Sequence, residues 1–300
     1  MRRIVFALMA LLVMFLCSQK IIGQTKCVTT SKDKELAVNV MERLREAIAS
    51  SPDGLPTGDR MVVVAKSLLG TPYRAGTLDV DPIHEDLRIS LTQTDCILFV
   101  ETCLGLVRTA SSLGEKSPSF DSFASNVAKM RYREAAPPYS YSDRVHYTTE
   151  WIRRQEGDLV DLTLELGGEK YDHHINFMSS HPKSYKQLED AYNIPRAALD
   201  LKRIAEVEAL LNKEPMTYIP KNKIPSAVEG IKSGDIICFV SAVEGLDIAH
   251  VGIALVEEGR VGFIHASQNE GKVVIDARSI EEYVGPRRNL SGIKVVRPLR

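Results

Sequence analysis

The chain has 300 residues, with 38 Lys+Arg against 39 Asp+Glu and a formal net charge of −1. That balance excludes a broad electrostatic grip on nucleic acid or on an anionic membrane surface. Charged residues are 26% and apolar residues 44% of the chain, which excludes wholesale disorder and leaves ample material for a core without disulfide staples.

Arg2 and Arg3 precede an apolar run from Ile4 to Cys17, followed by Ser18-Gln19-Lys20 and Ile21-Ile22-Gly23. A positive start, an apolar run of about 14 residues and a small residue to cut after describe a secretory signal peptide. The run is short for a membrane span of about 20 residues. This predicts that residues 1–23 are removed and that 24–300 act outside the cytoplasm, periplasmic or secreted, with no stable membrane span. Lipidation at Cys17 is disfavoured by the large Leu16 before it. The mature chain keeps Cys27, Cys96, Cys103 and Cys238, too few for a disulfide framework. Cys96 and Cys103 on one straight helix would be separated by about 10.5 Å of rise, beyond disulfide reach.

In chain order, Asp33 to Ser50 reads as an amphipathic helix, with Leu36, Val40, Leu44 and Ile48 every four residues. Ser51-Pro52-Asp53-Gly54 breaks it. A second helix is expected from Asp59, as N-cap, to Leu69, with Gly70 as the stop. A third begins near Asp95 and is apolar on most sides through Ile97, Phe99, Val100, Leu104 and Val107, so it should be buried. Residues 111–232 hold most of the tyrosines and the single Trp151. With no flexible linker at either end, they read as an insertion on a smaller core, with helical stretches near 143–155 and 201–212. From Gly234 the period changes to strands: 235–240, 249–256, 261–266, 272–275 and 293–296, with a short helix near 279–283. Short strands in sequence suggest an antiparallel meander. Helices first and strands later make the fold class α+β. One domain over 24–300 is expected, in three parts: a helical part to 110, the insertion, and a sheet part from 233.

Cys96 stands at the start of the buried helix, behind Asp95. A helix N-terminus offers unpaired N–H groups and a positive dipole end, which favour thiolate and could hold an oxyanion. Taken alone, Cys96 reads more readily as a small core residue, as most cysteines are. A nucleophile of this kind needs a His base oriented by a third polar group. His250 and His265 lie on the two strands predicted to form a hairpin. A two-residue turn at Glu257-Glu258 sets the two histidines directly opposite, and one at Glu258-Gly259 sets them diagonal. Either way both imidazoles share one face, about 5 to 8 Å apart. A three-residue turn would put them on opposite faces. Trp151, Tyr147 and Tyr141 could line a sugar site, although core packing explains them as well.

Five segments now stand in order: Leu69-Gly70-Thr71-Pro72-Tyr73-Arg74-Ala75-Gly76, Thr94-Asp95-Cys96, Ser233-Gly234-Asp235-Ile236-Ile237, Ala249-His250-Val251-Gly252-Ile253-Ala254, and Phe263-Ile264-His265-Ala266-Ser267. Together they resemble the NlpC-type papain-like cell-wall hydrolases, over roughly residues 60–110 and 232–270. The resemblance implies a papain-like core with the Cys helix packed on an antiparallel sheet. It implies Cys96 as nucleophile, His250 as general base and His265 as the orienting third residue. Tyr73 would stand beside the nucleophile, and Asp95 would help to hold substrate. Members of that family often carry Ser-Gly after Asp-Cys, where this chain has Ile97-Leu98. The long insertion, Phe99-Val100-Glu101 and Gly245-Leu246-Asp247-Ile248-Ala249-His250 resemble instead a branch that is N-acetylmuramoyl-L-alanine amidase-like. The implied reaction is cleavage of the lactyl–alanine amide of peptidoglycan or muropeptides through a Cys96 thioester, with no cofactor.

Other readings would keep the residues and change the role. One is a γ-D-glutamyl–diamino acid endopeptidase with the same triad, and another a non-catalytic wall-binding protein. A third is a transglutaminase-like acyl transfer. A zinc amidase would use His173, His174 and His181 with Asp172, at a spacing that matches no standard structural zinc site.

Overall fold

The computed structural model describes residues 27–79, 85–112, 117–134, 136–181 and 196–299. The expected signal segment and Cys17 lie outside the described residues. Helix α1 spans Ser31–Ala49. Thr30 caps it in a capping box with Asp33, which satisfies two otherwise orphaned N–H groups. The other oxygen of Asp33 accepts from Leu91 N at 2.8 Å and Thr92 N at 3.0 Å. The helix start is thereby tied to the loop that leads to Cys96. The buried face is Ala37, Val40, Met41 and Leu44. Leu36 and Ile48 of the predicted stripe pack only at its margin.

Helix α2, Thr57–Ser67, starts two residues before the predicted N-cap. Asp59 therefore sits in the first turn, where a carboxylate suits the helix dipole. Helix α3, Cys96–Ser112, is buried from Phe99 to Val107 and again at Thr109 and Ala110. Helix α4, Phe120–Arg131, is a helix that the sequence reading left unassigned. It packs closely on α3 because Gly105 has no side chain: a Cβ there would meet Phe123 at 3.0 Å and Val127 at 3.2 Å.

Among the described residues the main sheet has eight strands. Their ranges are β3 Leu159–Asp161, β4 Glu169–Tyr171, β5 Met216–Pro220, β6 Ile236–Ser241, β7 Ile248–Glu257, β8 Arg260–Ser267, β9 Lys272–Ile275 and β10 Leu290–Pro298. A separate two-stranded pair joins β1, Cys27–Val28, to β2, Leu87–Arg88. The main order is β4-β5-β10-β6-β7-β8-β9, with β3 also beside β10, and every pairing is antiparallel. The expected meander holds for β6 to β9. The last strand departs from it: β10 crosses over to lie against β6. Burial explains why. All six residues of β6 are buried and β10 is buried along most of its length, the pattern of strands covered on both faces. β9 has exposed ends and can close an edge.

Two cores cover the sheet. Ile236, Cys238, Val240, Ile253 and Ile264 join the helices α1 to α4. Ile237, Phe239, Ala254, Phe263, Ile293 and Val295 face the opposite way, against Ile280 and Val284 of the short helix Ile280–Val284. The period of two therefore sorts each strand between two layers.

The insertion is built into these layers. Phe120, Phe123, Val127, Trp151 and Leu159 belong to the helical core. A short helix, Thr148–Arg153, is fastened by Asp247, whose buried carboxylate accepts from Thr149 N at 2.7 Å and from Ile248 N at 2.7 Å. Asn176 N and Phe177 N both donate to Gly245 O. On the other side Lys294 of β10, also buried, contacts Asp161 at 2.8 Å. The helix Arg196–Leu211 meets the predicted 201–212 stretch.

Candidate active site

Two of the five sequence segments, Leu69–Gly76 and Thr94–Cys96, are stitched by backbone to each other and to the start of β9. Gly70 N donates to Val273 O at 2.9 Å, Val273 N to Thr71 O at 2.8 Å, and Tyr73 N to Gly271 O at 2.8 Å. Thr94 N donates to Pro72 O at 3.0 Å, and Arg74 N to Thr94 O at 2.8 Å. The Leu69–Gly76 segment thus bridges the far end of the sheet and the approach to α3. Tyr73 is brought beside Cys96 and Asp95; burial first, then the charges of those two groups, raise its phenol. Asp95 caps α3, its Oδ1 accepting from Leu98 N at 3.0 Å.

Cys96 is half-buried at the first position of α3. Burial pushes its thiol up to about 12, and the charge of Asp95 adds to the rise. Backbone N–H groups of Val251, Ile97 and Cys96 itself favour the thiolate but are outweighed. The N–H groups of the helix start therefore exert a real but smaller effect. In the free protein desolvation wins.

The register between β7 and β8 meets the requirement set by the two histidines. Glu257 pairs with Arg260 and Ile253 with Ile264, so the turn is Glu258-Gly259. Both turn residues have positive φ, 53° and 77°, as a two-residue type I′ turn demands. His250 and His265 are then diagonal on one face, with ring centroids 4.9 Å apart. His250 Nε2 lies 2.6 Å from His265 Nδ1. His250 is held down to about 3 by burial, then by the charges of His265 and Arg287. His265 is held down to about 4, burial outweighing the opposing pull of Asp276. Both rings are neutral near pH 7.

Asp276, just past β9, was not anticipated. It is buried and lies 3.2 Å from His265 Nε2, off the line of a straight hydrogen bond. Burial would raise its carboxyl, but bonds from Arg278 outweigh this and hold it below the usual carboxylate range. An acid at a strand end with an arginine two positions on was a local signal, but only the β8–β9 pairing shows which ring it meets.

Cys96 and His250 line one cavity of about 200 Å³. Ile97, Leu98 and Ile248 to Val251 form one side. The insertion forms the other, with Arg144, His146, Tyr147 and Trp151. Arg131 and Glu101 stand in the same wall as a buried pair, with Arg131 Nε 3.0 Å from Glu101 Oε2. Arg144 contacts Asp79 and, at 3.6 Å, Glu85. Burial, and then the Arg144 charge, holds His146 well below its ordinary value. Tyr147 and Trp151 are almost wholly buried, and Tyr147 donates to Glu208 at 2.6 Å. They are core residues first, and Trp151 also faces the cavity. Arg131, Arg144 and His146 escaped the sequence reading because lone charges inside an unpatterned insertion carry no period.

Away from this cavity, His173 Nε2 meets Leu246 O at 3.1 Å and His181 Nδ1 meets Phe177 O at 3.1 Å. The described residues contain no cluster of three or more His, Cys, Asp or Glu able to hold a metal. All four described cysteines are free thiols. No helix among the described residues is long and apolar enough to cross a membrane.

The fold is therefore α+β, with the helix-borne Cys96 and the strand-borne His250 lining a cavity walled by the insertion, and His265 held against His250. The chain belongs to the N-acetylmuramoyl-L-alanine amidase-like family (AmiA-like), whose profile matches residues 63–293. An N-acetylmuramoyl-L-alanine amidase from Bacteroides uniformis ATCC 8492 is 32% identical, with a TM-score of 0.69 over 81% of this chain and 99% of that one. A Bacteroides fragilis protein proposed to be a xylanase is also 32% identical, with a TM-score of 0.65 over 78% of this chain and 98% of that one. A Legionella pneumophila protein of the DUF1460 family shares the fold at 21% identity, with a TM-score of 0.64 over 89% of this chain and 95% of that one. No curated protein matches the chain.

Proposed function

We propose that this protein is a cysteine amidase that hydrolyses the N-acetylmuramoyl–L-alanine amide of peptidoglycan fragments, on a papain-like core of the NlpC type. One observation carries the reading: Cys96 and His250 line the same cavity while the Nε2 of His250 is occupied by His265. That leaves Nδ1 of His250 as the ring nitrogen free to serve the thiol. Because both groups are neutral near pH 7, the proton leaves Cys96 as sulfur attacks the lactyl amide carbonyl, with His250 as general base. N–H groups at the start of α3 stabilise the oxyanion. His250 then returns the proton to the departing alanine nitrogen, and the alanine-headed peptide leaves. Water, deprotonated by His250, attacks the thioester carbonyl. The muramic acid carboxylate is released and the thiol regenerated. In this reading Tyr73, beside Cys96, borders the bound amide, and Asp95, which does not line the cavity, serves the site by capping α3.

A glycosidase reading, suggested by the Bacteroides fragilis relative, needs two carboxyl groups facing each other across the cleft. Glu101, in the cavity wall, is instead held by Arg131. The sequence supports export of residues 24–300 after cleavage at Gly23, and we propose that the substrate is met outside the cytoplasm.

The test uses residues 24–300 and the same chain with Cys96→Ala, each incubated with muramoyl peptides and read by mass spectrometry. Free muramoyl sugar and an intact stem peptide with wild type, and neither with Cys96→Ala, is the expected result. A cut after D-glutamate would replace the amidase reading with the endopeptidase. No cut by either protein would leave a wall-binding role.

A further inference from the structure

Acyl transfer with His250 as general base requires a lone pair on its Nδ1. A neutral imidazole has one N–H and one lone pair, and its hydrogen-bond partner decides which nitrogen holds which. His250 cannot set its own state, because among the described residues its Nε2 faces another imidazole, His265 Nδ1, at 2.6 Å. That contact is satisfied in either of two ways, with the proton on His250 or on His265. The choice is passed to the far nitrogen of His265, Nε2. Among the described residues its one polar contact is Asp276 Oδ2, at 3.2 Å.

An ionised carboxylate can only accept. Asp276 is fixed in that state by Arg278, whose backbone N and Nε donate to Oδ1 at 2.9 and 2.8 Å while a terminal guanidinium N–H donates to Oδ2 at 2.8 Å. His265 must therefore carry its proton on Nε2, and its Nδ1 becomes an acceptor. His250 must then donate from Nε2, and its Nδ1 is left as the base.

We propose that Asp276 is a positioning residue that sets the tautomers of both histidines and so keeps the Nδ1 lone pair of His250 available to Cys96. The inference rests on the acyl-transfer reading for its catalytic consequence, but its structural part stands without a substrate. No proton reaches Asp276 during the cycle. The carboxylate acts through hydrogen bonding and, when His250 becomes imidazolium, through its charge. The off-line geometry of the 3.2 Å contact is common in a free enzyme and tightens when the reacting complex forms.

Asp276→Asn is the decisive variant because Arg278 dictates how the amide sits. The two donors on the Oδ1 side retain the amide oxygen there, which turns the amide NH2 toward His265 Nε2. That nitrogen must then accept, and the whole chain reverses until His250 presents N–H, not a lone pair, at Nδ1. Nitrogen-15 NMR of the histidine rings at pH 7 should show both His250 and His265 protonated on Nε2 in the wild type and on Nδ1 in Asp276→Asn. With muramoyl peptides, kcat should fall about a thousandfold or more, the scale on which a wrong tautomer acts in hydrolytic triads, while KM changes little. Asp276→Glu should restore both the tautomers and most of kcat.

A wild-type His250 protonated on Nδ1 would overturn the proposal even if no variant folds. So would unchanged tautomers in a folded Asp276→Asn, or a kcat for it within threefold of wild type. If wild type cuts no muramoyl peptide, the amidase reading fails, and the ring tautomers still decide the relay.

Discussion

Two walls of one cavity are built by different physics. The strand wall, around His250, is positioned by backbone register. Its residues alternate between two apolar cores, and a slip of one residue would move a whole face from one core to the other. The insertion wall, around Arg131 and Arg144, is positioned by ion pairs: Arg131 to Glu101 and Arg144 to Glu85 are buried, Arg133 to Glu150 is partly so, and Arg144 also reaches the exposed Asp79. Register is set by many small contacts and tolerates the loss of any one. A buried charge pair depends on both members, because a lone charge left inside is costly. The reacting groups sit on the register-built side and on α3. The ion pairs shape the space in front of them.

Breaking the strand wall at its chemical end should have the largest effect on turnover and a modest one on folding. His250→Ala should lower kcat by at least about a thousandfold, or about 4 kcal/mol of barrier, with the melting temperature little changed. A loss within tenfold in steady-state kinetics would remove His250 as the base. The insertion wall should show the reverse. Glu101→Ala leaves Arg131 buried without its partner and should cost about 3–5 kcal/mol of folding free energy by urea denaturation. Glu101→Leu with Arg131→Met should recover much of that, and equal losses for the single and double variants would show that the pair is not what holds the wall.

Acid sharpens the comparison further. His250, His265 and His146 all have folded values below their ordinary 6.5. Between those values and about 6.5 the unfolded chain binds more protons than the folded one, so stability is full above about pH 6.5 and falls as pH falls. Each such histidine contributes a slope of about 1.4 kcal/mol per pH unit within its window. His265→Gln should flatten the urea-derived slope between pH 6 and 4.5 by about one such increment; an unchanged slope would place His265 in an ordinary environment.

Smaller effects separate the clamp from the surface. Asp247→Ala strands two buried N–H groups and should cost about 2 kcal/mol, with faster hydrogen exchange in 148–153. Lys66→Ala removes an exposed pair with Glu257 at 2.9 Å and should shift stability by less than about 0.5 kcal/mol. A larger shift would mean that the surface pair is more than a solvated contact.

The sequence alone determined whatever has a short repeat or a fixed local chemistry. The amphipathic stripe of α1, the apolar run of α3 and the short apolar runs of β6 to β8 are each decided by neighbours a few positions away. The helix-start position of Cys96 follows from the same local rules, whereas the shared face of His250 and His265 was one of two outcomes until the β7–β8 register fixed a two-residue turn. Tertiary structure decided what depends on partners far along the chain. The place of β10 beside β6, the helix Phe120–Arg131 docked through Gly105, Asp276 against His265, and the buried arginines facing Glu101 and Glu85 all join segments that no period links. The thiol of Cys96 shows the divide at one atom. Local helix chemistry points its protonation one way, and the burial imposed by the rest of the fold turns it the other, because desolvation depends on everything packed around the sulfur and not on the residues beside it in sequence.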